Sequence, residues 1–162
     1  MLQRRVLFAS LLVCALLGAC GYHLKGASKL NAAYANLYLD TPDTYSEVHR
    51  ALSEALMIAG ASFRARRGDQ GAVLEITHDE AGRRIRTVSA RNVPTEYEIF
   101  YHVTYRVVLD NHEVLPLTDL SLSRIINFDE TAELEKEREE MLLREAMARD
   151  LAERIVRQLA AL

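Results

Sequence analysis

The clearest pattern in the chain lies between Thr95 and Asp110. Tyr97, Ile99, Tyr101, Val103, Tyr105, Val107 and Leu109 hold one parity, and Glu96, Glu98, His102, Thr104, Arg106 and Asp110 hold the other, with Phe100 and Val108 as exceptions. A period of two sustained over this length predicts an antiparallel strand with one face on a core and the other in water. Asp110-Asn111-His112-Glu113 then predicts a hairpin turn. Val114 to Phe128 returns as the partner strand. Its apolar parity changes between Leu117 and Leu120, which predicts a bulge near Thr118-Asp119, and Pro116 suits an edge or an irregular start.

Upstream, Ala35 to Asp40 reads as a short strand with Leu37 and Leu39 on one face. Thr41-Pro42-Asp43 has the composition of a helix start, with Thr41 as N-cap and Pro42 in the first turn. Tyr45, Val48, Leu52, Leu56 and Ala59 recur at spacings of three and four, and Gly60 stops the helix. Gly68 and Gly71 bracket a turn. Ala72 to Thr77 is a strand, which continues past a break at Ala81-Gly82 to Val88. After an acidic stretch from Glu133 to Glu140, a long helix runs to about Leu159. Its seam is Met141, Arg144, Ala148, Leu151, Ile155 and Gln158, widened by Leu142, Ala152 and Leu159. The order β-α-β-β-β-α predicts an α+β two-layer sandwich, with two amphipathic helices on one face of a mixed, mainly antiparallel four-stranded sheet.

The N-terminus changes this picture of a plain soluble domain. Arg4 and Arg5 precede an apolar run from Val6 to Leu17, followed by Gly18, Ala19 and Cys20. The run is shorter than the roughly 20 residues that a membrane-spanning helix needs, and a charged start with small residues at the end reads as a secretory signal. Leu17-Gly18-Ala19-Cys20 resembles a bacterial lipobox, which implies acylation of Cys20 and removal of residues 1–19. Residues 20–34 are then an acylated start and tether, and 35–162 a single domain of a size that supports its own core. Cys14 leaves with the signal, so no disulfide is expected. Gly21 follows the cysteine in place of the Asp that retains such proteins at the inner membrane, so the expected address is the outer membrane.

Charge excludes one class of partner and suggests another. The formal net charge is −3, and losing Arg4 and Arg5 takes it to about −5, which is unlike a nucleic-acid binder. Against that background Arg64, Arg66, Arg67, Arg83, Arg84, Arg86 and Arg91 fall within 28 residues. Arginines bind phosphates and carboxylates bidentately, so this run is a candidate anion site. His23, His49, His78, His102 and His112 show no metal spacing, and no metal or other cofactor is expected. Gly68-Asp69-Gln70-Gly71 is too short for a phosphate loop, there is no nucleophile elbow, and Glu96 and Glu98 read as a solvated face. The residues therefore point to binding or assembly, not to an enzyme such as a lipid-anchored hydrolase.

Three motifs carry a family resemblance: Cys20-Gly21-Tyr22-His23-Leu24, Arg91-Asn92-x-x-Thr95-Glu96-Tyr97-Glu98, and Arg124-x-x-x-Phe128-Asp129 before the Glu-rich helix start. With these the chain from Cys20 onward resembles the LPS-assembly lipoprotein family LptE. The resemblance implies an outer-membrane lipoprotein that plugs the β-barrel LptD, assists its assembly and binds lipopolysaccharide during insertion into the outer leaflet. Arg91 carries over best as a ligand contact and Lys136 less directly; Arg83, Arg84 and Arg86 join them on charge alone. The alternative is a generic envelope lipoprotein with a structural or sorting role and no barrel partner.

Overall fold

The computed structural model describes residues 29–127 and 133–162; the expected signal, Cys20, the start of the tether and Phe128-Asp129 lie outside that range. A short 3-10 turn at Ala32–Tyr34 leads into β1 (Asn36–Asp40), α1 (Glu47–Ile58), β2 (Ser62–Phe63), β3 (Ala72–Val88), β4 (Pro94–Leu109), β5 (His112–Asn127) and α2 (Glu133–Ala160). The strands form one sheet in the order β2-β1-β3-β4-β5. β1 is parallel to both its neighbours, whereas β3, β4 and β5 form an antiparallel meander.

The sheet thus has five strands where the sequence pattern predicts four. The missed strand, β2, is two residues long with both side chains exposed, so it has no alternation to read. It exists through its backbone, with Ser62 N–H donating to Ala35 O (2.7 Å) and Arg64 N–H to Leu37 O (2.9 Å). The parallel pairing follows from α1, which carries the chain across the sheet between β1 and its partners.

Both helices cover one face of the sheet. Val48, Leu52 and Leu56 of α1, Ile99, Tyr101, Val103 and Tyr105 of β4, and Met147, Leu151, Ile155 and Leu159 of α2 are all at most 1% exposed. Leu30 and Tyr34, at the end of the expected tether, pack on this core. The alternation in β4 appears as read: every second residue from Ile99 to Val107 is buried.

Four local expectations are corrected. The N-cap of α1 is Ser46, whose Oγ accepts the His49 N–H (3.1 Å), not Thr41. Asp43 takes the Tyr45 N–H at 2.7 Å and holds residues 41–46 in a turn that delays the helix, leaving Tyr45 93% exposed. Gly60 (φ +92°) does end α1, in a Schellman arrangement in which Ala61 N–H reaches Leu56 O and Gly60 N–H reaches Met57 O. The buried stripe of α2 begins at Met147; Met141 and Leu142 are half exposed and Gln158 faces water. β3 passes Ala81-Gly82 without a break, because the Phe100 ring of β4 lies over Gly82, closing the gap its missing side chain leaves. In β5 the register slips between Leu115 and Thr118, around Pro116, which has no N–H to donate to the ladder. Asp110 and Asn111 both have positive φ (50° and 63°), making the two-residue turn whose twist suits a hairpin.

Candidate functional site

β3 separates the arginines that the sequence groups together. Arg64, Arg66 and Arg67 precede its first residue, Ala72, while Arg83 stands 11 residues further along it. At about 3.3 Å per residue that is roughly 35 Å. The seven arginines therefore form two groups at opposite ends of the sheet.

At the near end Arg64 and Arg67 are engaged, while Arg66 is exposed and has no ion pair or hydrogen bond among the described residues. Arg64 lies against Gly71 and donates to Gln70 O (2.5 Å) and Ala72 O (2.6 Å), fixing the entry into β3. Arg67 reaches Asp40 (3.0 Å) and Glu75 (3.3 Å). Glu75 also receives Arg106 from the neighbouring strand through both of its oxygens, at 3.0 and 3.1 Å. Glu75 and Arg106 are register partners, so their backbones hold the fork in place.

At the far end the two faces of the sheet divide the basic residues. Arg83 opposes the inward-facing Ile99, so it points to the helix side; there it meets the buried Glu140 of α2 at 3.1 Å and lies 5.2 Å from the centre of the Tyr97 ring. Arg84 points to the uncovered face, meets Glu98 at 2.9 Å and lies 5.6 Å from the Phe100 ring centre. Its hydrogen bond is the main reason the Glu98 carboxyl sits below the usual carboxylate range, and Glu98 in turn raises the guanidinium of Arg84. Lys136 pairs with Glu139 one turn on (2.8 Å) and sits one turn before Glu140. Arg86, on β3, and Arg91, in the loop to β4, are exposed and have no ion pair or hydrogen bond among the described residues. Ile85 and Val88 are about half exposed beside them (56% and 47%), and Ile125 of β5 lies across Glu98 from Arg84, at 50%. Fixed positive charge next to exposed apolar surface can hold an anionic amphiphile.

The uncovered face between these ends is polar. His78 and His102 have ring centres 5.4 Å apart, with Glu80 3.2 Å from the first and Asp119 3.4 Å from the second. Glu96 accepts from the Thr87 hydroxyl at 2.7 Å, so Glu96 and Glu98 are each engaged separately. His49 is tied to Thr41 at 2.8 Å. No group of three or more metal-ligating side chains is gathered among the described residues, and no described helix is long and apolar enough to cross a membrane. Sequence reasoning overlooked two residues. Glu140 is hidden inside a run of glutamates that all look solvated. Asp79 has one signal, its place in an otherwise apolar inward row, but that row is legible only once the register is known.

Residues 34–159 match the LptE family, described as lipopolysaccharide-assembly. The LPS-assembly lipoprotein LptE of Yersinia enterocolitica is 26% identical over 161 residues, covering 98% of this chain and 77% of its own. That of Pectobacterium atrosepticum is also 26% identical over 161 residues, covering 97% and 86%. Among solved structures, an uncharacterized lipoprotein B from Nitrosomonas europaea superposes with a TM-score of 0.71 at 27% identity, covering 87% of this chain and 91% of its own. The rare lipoprotein B of Shewanella oneidensis does so with a TM-score of 0.68 at 26% identity, covering 78% and 94%.

Proposed function

The chain belongs to the LptE family of lipopolysaccharide-assembly proteins, and on that footing we propose that it is an outer-membrane lipoprotein that plugs the LptD β-barrel, assists its assembly and binds lipopolysaccharide as it passes to the outer leaflet. The observation that carries the ligand-binding part is the far end of the sheet. Arg91 has no ion pair or hydrogen bond among the described residues, and Arg86 none either, feeling Glu98 only through its charge; both stand beside exposed Ile85 and Val88. A phosphorylated, acylated glycolipid presents the matching pair of features, anionic groups for guanidinium forks and alkyl chains for the apolar positions. Arg83, Arg84 and Lys136 surround this end with charge that Glu140, Glu98 and Glu139 partly neutralise.

The plug role is supported by how the domain divides its surfaces. Its apolar area is gathered under the helices, and the other face of the sheet carries Glu75, His78, Glu80, Arg84, Glu98, His102, Thr104 and Arg106. A large barrel has a polar, water-filled lumen, which such a face suits. Acylation at Cys20 supplies one membrane signal. One acyl chain anchors only marginally, and lipoproteins of this kind typically carry three.

Purification of the full-length lipoprotein from native outer membranes in detergent tests the plug: a large β-barrel is expected with it, and recovery of free monomer alone overturns the reading. For the ligand end, Arg91→Asp is expected to weaken lipopolysaccharide binding on the order of tenfold, about 1.4 kcal/mol, with the circular dichroism spectrum unchanged. Unaltered binding removes Arg91 from the site.

A further inference from the structure

One inward-facing position of β3 is out of character. Leu74 and Ile76 are buried in the core and Ala81 packs against it, yet Asp79 stands in the same row, opposite the fully buried Val103. A register shift puts it there. Ile76 opposes Tyr105 and His78 opposes Thr104, so Thr77 is one residue too many and the side-chain parity turns over. Without that bulge His78 would face inward and Asp79 would face water. Bulges that re-aim a side chain recur beside functional sites.

The Asp79 carboxylate has the Tyr101 hydroxyl as a hydrogen-bond donor, but its Oδ2 atom is buried and has no partner among the described residues. It lies at an open cleft of about 540 Å³ between the turn before α1, the first turn of α1, β3 and α2. Charge in this cleft is unbalanced. Arg50 is held by Glu145 at 3.3 Å and Arg144 by Glu140 at 3.2 Å, leaving Asp43, Glu47 and Asp79 without a cation among the described residues. The Tyr101 hydroxyl, which accepts the Val48 N–H at 3.2 Å, registers this field: burial first, then the charges of Asp79 and Glu47, hold its proton well above the ordinary tyrosine range. Across the cleft the Nε–H of Arg144 is also buried without an acceptor. Tyr45 and Met141 stand exposed at the rim, 93% and 49%.

We propose that this cleft is a socket for an arginine-bearing segment of the barrel partner, with Asp79 receiving the guanidinium, Arg144 Nε–H a main-chain carbonyl, and Tyr45 closing over the cation. This rests on the plug reading above. The volume is in the range of ligand pockets and exceeds that of a single side chain, so a side chain with its stretch of main chain fits better than a lone ion. Two buried groups of opposite need, an acceptor and a donor, are satisfied together by a peptide segment carrying a cation. An exposed tyrosine ring beside carboxylates is a usual partner for a guanidinium. A position where local pattern is broken without internal compensation is where function is expected.

The test uses the full-length lipoprotein co-expressed with its barrel. Asp79→Asn removes the charge, keeps the shape and relieves a carboxylate whose buried Oδ2 has no partner. The isolated variant is therefore expected to melt at or above the wild-type temperature while its affinity for the barrel falls at least tenfold, and Asp79→Lys to abolish the complex. A photoreactive residue at Tyr45 is expected to crosslink to a barrel peptide containing arginine. If Asp79→Asn binds the barrel as tightly as wild type, or loses affinity only in step with a lowered melting temperature, the socket is overturned and the plug stands. Loss of the wild-type complex on chelation assigns Asp79 to a divalent cation and overturns the arginine. A wild-type chain that brings down no barrel overturns the plug reading and the socket with it.

Discussion

The two ends of β3 use the same residue type for opposite purposes. Near Ala72 the guanidiniums of Arg64, Arg67 and Arg106 are consumed by carbonyls and carboxylates of their own chain, Glu75 alone receiving two of them, and Arg66 alone of the near group is left over. Near Val88, Arg83 and Arg84 are neutralised one carboxylate at a time, Arg86 feels Glu98 only through its charge, and Arg91 is left over. An arginine tied into a network of fixed partners holds structure, and one whose partner is missing is available to a ligand. Count and sequence spacing do not separate these cases; the distribution of carboxylates across neighbouring strands does.

Breaking the near end should cost the most stability. Glu75→Ala strips a half-buried fork from Arg106 and a second contact from Arg67, with an expected loss of about 2 kcal/mol in urea unfolding. Arg64→Ala leaves the Ala72 carbonyl short of a donor at the start of β3 and is expected to cost about 1 kcal/mol. Tyr105 lies toward the same end, opposite Ile76, and burial pushes its hydroxyl up to about 12. Above pH 10 the unfolded chain ionises this group while the folded chain does not. Its contribution is thus complete below pH 10 and is lost between 10 and 12, on the order of 1 kcal/mol per pH unit. Tyr105→Phe should flatten that alkaline limb in a melting-temperature series and, since the hydroxyl is buried without a partner, leave neutral-pH stability unchanged or raised.

The far end should respond in ligand binding and hardly in stability. The Glu98 carboxyl is held low chiefly by the Arg84 hydrogen bond, so its contribution is present above the ordinary value of 4.5 and lost as pH falls through the lower folded value. Arg84→Ala is expected to lower the melting temperature slightly at pH 7, with the difference from wild type vanishing as pH falls below the folded value of Glu98. Smallest of all, Arg91→Ala should change unfolding stability by under about 0.5 kcal/mol; a larger loss would mean that Arg91 is structural and would erase the contrast between the ends.

What was legible follows from how each feature is encoded. The alternation of β4 is written in consecutive residues, because one face must be buried and each residue reports its side. The stripe of α1 from Val48 to Ala59 and its stop at Gly60 are written locally in the same way. The two-residue β2 is held by main-chain bonds to β1, which leave no pattern in side chains. Thr41 and Ser46 are both competent caps, and only the turn built by Asp43 decides between them. In α2 the apolar positions run further toward the N-terminus than the surface that buries them, so Met141 and Leu142 stay half exposed and the seam starts at Met147.

From its sequence alone this chain determined two helices, four of its five strands with the long hairpin, the layering, and by its motifs the family. These depend on periods of two and 3.6 residues and on short signatures that need no knowledge of neighbours. Tertiary structure alone decided which arginines are spent and which are free, that Glu140 is buried against Arg83, and that Asp79 points inward. Each of those outcomes depends on register. A strand alternates sides with every residue, so one extra residue at Thr77 reverses everything beyond it, and pairing across strands assigns each charge its partner from residues far away in the chain.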